Sequence, residues 1–146
     1  LVSSAERRDM RLISVVLGTD SPAARASESQ ALLNYGFRFY ESQLLWEAGE
    51  IVADTRVWKG AQEKVDLIVK EPVYITIPRG AADQLETRMT LPDQVMAPLS
   101  ANVPLGKATA SVNGTDVANI DLFSSVDVAE GGLMQLALDE VLLWFE

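Results

Sequence analysis

The chain shows three hydrophobic textures in turn, and each predicts a different set of elements. Met10 to Leu17 (MRLISVVL) is a nearly continuous apolar and β-branched run between Arg8-Asp9 and Gly18-Thr19-Asp20. That is the pattern of a strand covered on both faces. Leu1 to Ala5 supplies its hairpin neighbour across a polar turn at Glu6 to Asp9. Ser21-Pro22 then opens a helix, because a Ser oxygen accepts from free amides and Pro suits the first helical position. Ala24, Glu28, Ala31, Leu32 and Tyr35 keep helical spacing to about Tyr40. Two strands and one helix cannot bury two apolar faces between them. This section is therefore expected to be the closing edge of a larger α/β domain whose earlier part lies outside these residues.

From about Glu47 to Asp127 the pattern alternates in the β manner. Arg56 to Lys59 ends at Gly60, Val65 to Val69 at Lys70-Glu71-Pro72, and Val73 to Ile77 at Pro78-Arg79-Gly80. Leu85 to Leu91 ends at Pro92-Asp93, and Gly106 to Val112 turns through Asn113-Gly114 into Thr115 to Phe123. Asn-Gly between two alternating runs is the strongest short-range hairpin signal. A helix start is read at Ala81-Ala82. Six short strands separated by turn residues predict an antiparallel sandwich or barrel, and the lack of a fixed-period repeat excludes a solenoid.

The last texture follows Gly131-Gly132. Wound as a helix, Leu133 to Glu146 places Gln135, Asp139 and Glu146 on a narrow polar stripe. Leu133, Met134, Leu136, Val141, Trp144 and Phe145 cover most of the remainder. Such a helix is about 21 Å long, too short to cross hydrocarbon but suited to lying in an interface. Those six residues are the candidate contacts with a membrane surface or with a protein partner. The expected organisation is 1–42, a domain edge; 43–130, an all-β antiparallel sandwich; and 131–146, an amphipathic tail.

Composition narrows the chemistry. The chain has 146 residues, 12 basic against 21 acidic, for a net charge of -9, with no Cys and no His. This removes thiol chemistry, disulfides, thiolate or imidazole metal sites and every Ser-His or Cys-His catalytic arrangement. It does not assign a redox compartment. No basic cluster is visible along the chain, so binding to nucleic-acid phosphates is not expected. No run reaches the roughly 18 to 20 apolar residues of a membrane-spanning helix. Acidic pairs such as Glu63 with Asp66 read as solvated faces, and no metal or cofactor is expected. Trp58 and Tyr74 read as core aromatics rather than a sugar-stacking platform.

Several ordered strings carry a family resemblance: LVSSA from Leu1, MRLISVVLG from Met10, RASESQALLNYGFRF from Arg25, VWKG from Val57, VYITIPRG from Val73, APL from Ala97 and EGG from Glu130. Together they resemble the C-terminal part of low-molecular-weight penicillin-binding proteins, the D-alanyl-D-alanine carboxypeptidases of the penicillin-binding protein 5 and 6 type. The resemblance implies a bacterial periplasmic enzyme that trims the terminal D-alanine from peptidoglycan stem peptides. Its chemistry is acyl transfer to a Ser with Lys as base, in agreement with a chain that has no His. It also implies a β-lactamase-like peptidase domain ahead of the sandwich, and a tail peripheral to the outer face of the cytoplasmic membrane.

The family's catalytic signatures are absent from these residues. No Ser is followed three positions later by Lys, and no K-T-G occurs. Ser100-Ala101-Asn102 and Ser111-Val112-Asn113 satisfy S-x-N but fall in the β-rich section. The chain by itself is therefore expected to be inactive. By the resemblance, Arg25 in the first turn of the closing helix is the candidate for pairing with the substrate's terminal carboxylate. On the residues alone it is a surface Arg paired with Glu28 or Asp20. The tail departs from its relatives, whose anchors are basic, because Asp139, Glu140 and Glu146 are repelled by anionic head groups. A second possibility is a non-catalytic module in which the sandwich serves as a spacer or protein-docking surface.

Overall fold

The structure, a computed structural model, describes residues 1–8 and 10–132. The expected tail helix, with Leu133, Met134, Leu136, Val141, Trp144 and Phe145, lies outside the described residues. The described part is mostly β with one α-helix, and it divides into two units. The first comprises Leu1–Gln43 and Ile75–Leu85; the second comprises Leu44–Tyr74 and the residues from Glu86 on.

In the first unit, β1 (Val2–Arg7) and β2 (Met10–Val15) form an antiparallel hairpin in which Val2 faces Val15 and Arg7 faces Met10. The helix α1 (Pro22–Phe39) starts where Ser21-Pro22 predicts, with the Ser21 hydroxyl accepting from the Ala24 N–H at 3.0 Å. It packs on one face of the hairpin. Ser14 of β2 and Ser29 of α1 are both buried and share a hydrogen bond at 2.6 Å, so each satisfies the polar group that burial would otherwise leave unpaired. Gly36 lets the helix approach Leu12, where a Cβ would meet the Leu12 side chain.

Ile75–Leu85 joins this unit although it lies inside the expected 43–130 segment, and the reason is how α1 ends. The last carbonyls of a helix have no partner within it. Here the Arg79 N–H donates to the Phe39 carbonyl at 2.8 Å. The Arg79 guanidinium donates to the carbonyls of Phe37 (3.1 Å), Arg38 (3.3 Å) and Tyr40 (3.2 Å) and lies 3.4 Å from a Glu41 carboxylate oxygen. The other Glu41 oxygen accepts from the Gly80 N–H at 2.9 Å. One cation thus closes the negative end of the helix dipole. The start read at Ala81-Ala82 is a single 3-10 turn, Ala82–Gln84, and not an α-helix.

The strands that follow α1 are β3 (Tyr40–Trp46), β4 (Ile51–Trp58), β5 (Lys64–Ile68), β6 (Val73–Pro78), β7 (Leu85–Thr90), β8 (Val95–Met96), β9 (Pro104–Val112) and β10 (Thr115–Ser124). One six-stranded sheet runs β7-β9-β10-β5-β4-β8, and β3 pairs with β6. The β9–β10, β10–β5 and β5–β4 pairings are antiparallel, while β8 adds to β4 in parallel. Asn113-Gly114 makes the β9–β10 turn with both residues at positive φ, 52° and 74°. The core of the second unit gathers alternate residues of these strands: Val57, Val65, Leu67, Ala108 and Leu122, joined by Trp46, Val69, Val95 and Val128. The bridge Leu99 to Val128 and the contact of the Ser124 hydroxyl with the Val126 carbonyl hold the closing segment.

Candidate functional site

Strand parity divides the β1–β2 hairpin into two unlike faces. Met10, Ser14 and Val16 are buried and Leu12 half-buried, on the side that α1 covers. On the other side Val2, Ile13 and Val15 are exposed, Val15 by 58%, and Leu17 just beyond β2 by 82%. Scattered exposed apolar residues are ordinary, whereas here Val2, Ile13 and Val15 form a β-branched row along one sheet face. The run Met10 to Leu17 was expected to be covered on both faces, and among the described residues only one is. The open face belongs to a two-stranded ladder whose other face carries α1.

Arg25 sits in the first turn of α1, where its N–H donates to the Ser21 carbonyl at 3.0 Å and its side chain is exposed. It makes no ion pair with Asp20 or Glu28 among the described residues, so the simple surface pairing is not formed. Of the two aromatics, Trp58 is buried, with the Arg56 guanidinium 3.7 Å from its ring centroid. Tyr74 is 60% exposed, against the core reading. The physical reason is again parity: Ile75 and Ile77 take the inward positions of β6, which leaves Tyr74 and Thr76 on the outer face. Among the described residues there is no group of three or more Asp or Glu placed to hold a metal ion, and no helix is long and apolar enough to cross a membrane.

Residues 40–130, from the first residue of β3 to the end of the closing segment, match the family described as "Penicillin-binding protein 5, C-terminal domain". The chain belongs to that family. Similarity extends beyond the matched segment. The chain is 37% identical over 146 residues to D-alanyl-D-alanine carboxypeptidase DacC of Escherichia coli (strain K12), and 34% to DacA of the same organism. Each alignment takes in 99% of this chain and 36% of the relative, so the chain spans about a third of the length of the curated relatives it matches. Among solved structures, penicillin binding protein 5 from Haemophilus influenzae superposes with a TM-score of 0.82 at 36% identity, over 89% of this chain and 38% of that one.

For a penicillin-binding protein 5 C-terminal domain, the described residues divide the expected features unevenly. The resemblance read from the sequence strings holds, as does the mostly β architecture with antiparallel sheets. Arg25 lies ahead of the matched segment and forms no ion pair among the described residues. Two features escaped sequence reading. One is the outward Tyr74, which the β6 alternation would have revealed had Ile75 and Ile77 been taken as the inward pair. The other is a gathering of arginines at the end of α1, from positions so far apart along the chain that no run announces it.

Proposed function

We propose that this chain serves as the C-terminal portion of a serine-type D-alanyl-D-alanine carboxypeptidase that trims the terminal D-alanine from peptidoglycan pentapeptides at the bacterial periplasmic face of the cell wall. The observation that carries the reading is the uncovered apolar face of the β1–β2 hairpin, Val2, Ile13, Val15 and Leu17, on the far side from α1. A face of that kind fits the closing edge of a larger, β-lactamase-like α/β sheet. Alignment of residues 1–42 as well as 43–130 with carboxypeptidases about three times as long supports the same reading.

In this reading the chain's own residues scaffold and do not react. The nucleophilic Ser and its Lys base belong to an S-x-x-K motif, which these 146 residues lack, as they lack the K-T-G strand. The hairpin and α1 complete the peptidase sheet, Arg25 pairs with the terminal carboxylate of the stem peptide, and the β-rich second unit forms the sandwich domain. Leu133, Met134, Leu136, Val141, Trp144 and Phe145 place apolar area against the membrane surface or a protein partner.

A fluorescent β-lactam offered to the intact gene product tests the proposal. Covalent labelling of that product, with none of the 146-residue chain alone, is the expected result. An intact product that takes no label overturns it in favour of a non-catalytic spacer or docking module. In the labelled protein, Arg25→Ala is expected to raise KM for a D-Ala-D-Ala peptide while leaving acylation by the β-lactam measurable; unchanged KM removes Arg25 from the site. Liposome co-sedimentation with and without residues 133–146 tests the tail, equal and negligible binding ruling out an anchor.

A further inference from the structure

A cavity of about 660 Å³ opens at the C-terminal end of α1, within the first unit, and its walls carry four arginines: Arg7, Arg8, Arg38 and Arg79. Among the described residues, Glu41 is the one carboxylate lining it. Two of the four guanidinium groups are committed elsewhere. Arg79 spends its donors on the helix-end carbonyls and on Glu41. Arg7 donates to the Asn34 side-chain oxygen at 3.2 Å and lies 4.7 Å from the Phe37 ring centroid. The other two are not. Arg38 rests 5.4 Å from the Phe39 ring centroid, and neither it nor Arg8 has a hydrogen-bond acceptor or an ion pair among the described residues.

A helix C-terminus attracts cations, and this accounts for Arg79 and for part of Arg38. It does not account for Arg8, which stands in the β1–β2 turn at φ 51°. Nor does it account for four arginines gathered with one carboxylate among the described lining residues, in a chain whose net charge is -9. Like charges gathered around one cavity repel unless an anion enters. Guanidinium groups present planar forks that match phosphate oxygens bidentately, and a phosphate offers more acceptors and more charge than a single carboxylate. The volume exceeds that of an inorganic ion and admits a larger phosphorylated group.

We infer that this cavity binds a phosphate group, carried either by a soluble phosphate compound or by a lipid head group, with Arg8 and Arg38 as its direct ligands. The site does not depend on the carboxypeptidase reading. Calorimetric titration of the full chain with inorganic pyrophosphate at low salt examines the soluble source, and co-sedimentation with phosphatidylglycerol against phosphatidylcholine vesicles examines the lipid source.

The variants are Arg8→Asn, chosen because Asn tolerates the positive φ, and Arg38→Gln. Arg88→Gln, on exposed β7 of the second unit, controls for net charge, and thermal unfolding checks that each variant folds. Binding of either probe that falls at least tenfold in Arg8→Asn and Arg38→Gln but not in Arg88→Gln supports the site, and the probe that binds identifies the source. No binding of either probe overturns it. Binding that falls equally in all three variants also overturns it, because general charge then explains the attraction.

Discussion

The two units of this chain bury apolar surface by different means. The second closes on itself: Leu67 and Leu122 are wholly buried at the centre of a six-stranded sheet, and chain segments from β3 to Val128 supply the rest of its core. In the first, a helix covers one side of the β1–β2 hairpin, while the hairpin's other side leaves a β-branched row facing solvent. A layer architecture is stable when every apolar face finds a cover. The second unit meets that condition with its own residues, and the first meets half of it. Among the described residues, one unit thus has a core enclosed by its own strands, and the other has an apolar sheet face open to solvent.

Substitutions can break or sharpen that contrast. Leu67→Ala removes a wholly buried side chain from a closed core and is expected to cost about 2–5 kcal/mol, read as a fall in the urea midpoint without a change in slope. Ser29→Ala leaves the buried Ser14 hydroxyl without its partner. It is expected to cost about 1 kcal/mol and to speed amide exchange in α1 and β2 ahead of the sheet of the second unit.

Val15→Ser should change the stability of the 146-residue chain by no more than about 0.5 kcal/mol, because the side chain already meets water. In the intact gene product the same substitution should lower the melting temperature measurably; an equal, negligible effect in both would mean that the face is never covered.

The smallest effect is expected at Lys64 and Asp54, whose exposed charges lie 2.9 Å apart on neighbouring strands β5 and β4. The hydrogen bond and charge of Lys64 hold the Asp54 carboxyl below its ordinary value of 3.8, and Asp54 raises the Lys64 ammonium above 10.5. The carboxylate's contribution is present above its ordinary value and lost as pH falls through the lower folded one. The ammonium's is present below its ordinary value and lost as pH rises through the higher folded one. The melting difference between the chain and its Asp54→Asn variant should thus be level at neutral pH, shrink at both extremes and diminish with salt.

Legibility in the sequence followed the strength of local patterning. The α1 start was announced by Ser21-Pro22 and the β9–β10 hairpin by Asn113-Gly114, because turn and cap chemistry act over a few residues. Tyr40–Trp46 went unread as a strand because it continues directly from the helical spacing, with no turn residue between α1 and β3. The first half of β4, Ile51 to Thr55, is interrupted by Ala53-Asp54 and carries no β signal of its own. The two-residue β8 exists only through its pairing with Val57 and Trp58. The arginine cavity is the extreme case: Arg8, Arg38 and Arg79 come from a hairpin turn, a helix end and a loop after β6, and only the closing of α1 by Arg79 brings them to one place.

That same stitch governs how the polypeptide can be divided. The backbone passes from one unit to the other within β3, returns within β6 and leaves again after Leu85, so no single cut yields two whole pieces. A fragment stopping at Gln43 would keep α1 but lose the guanidinium that terminates it. A fragment spanning 40–130 would carry Arg79 with most of its acceptors gone. Excision along the matched family segment would thus leave frayed ends on both products, and swapping this region between relatives is safest when residues 1–130 travel together.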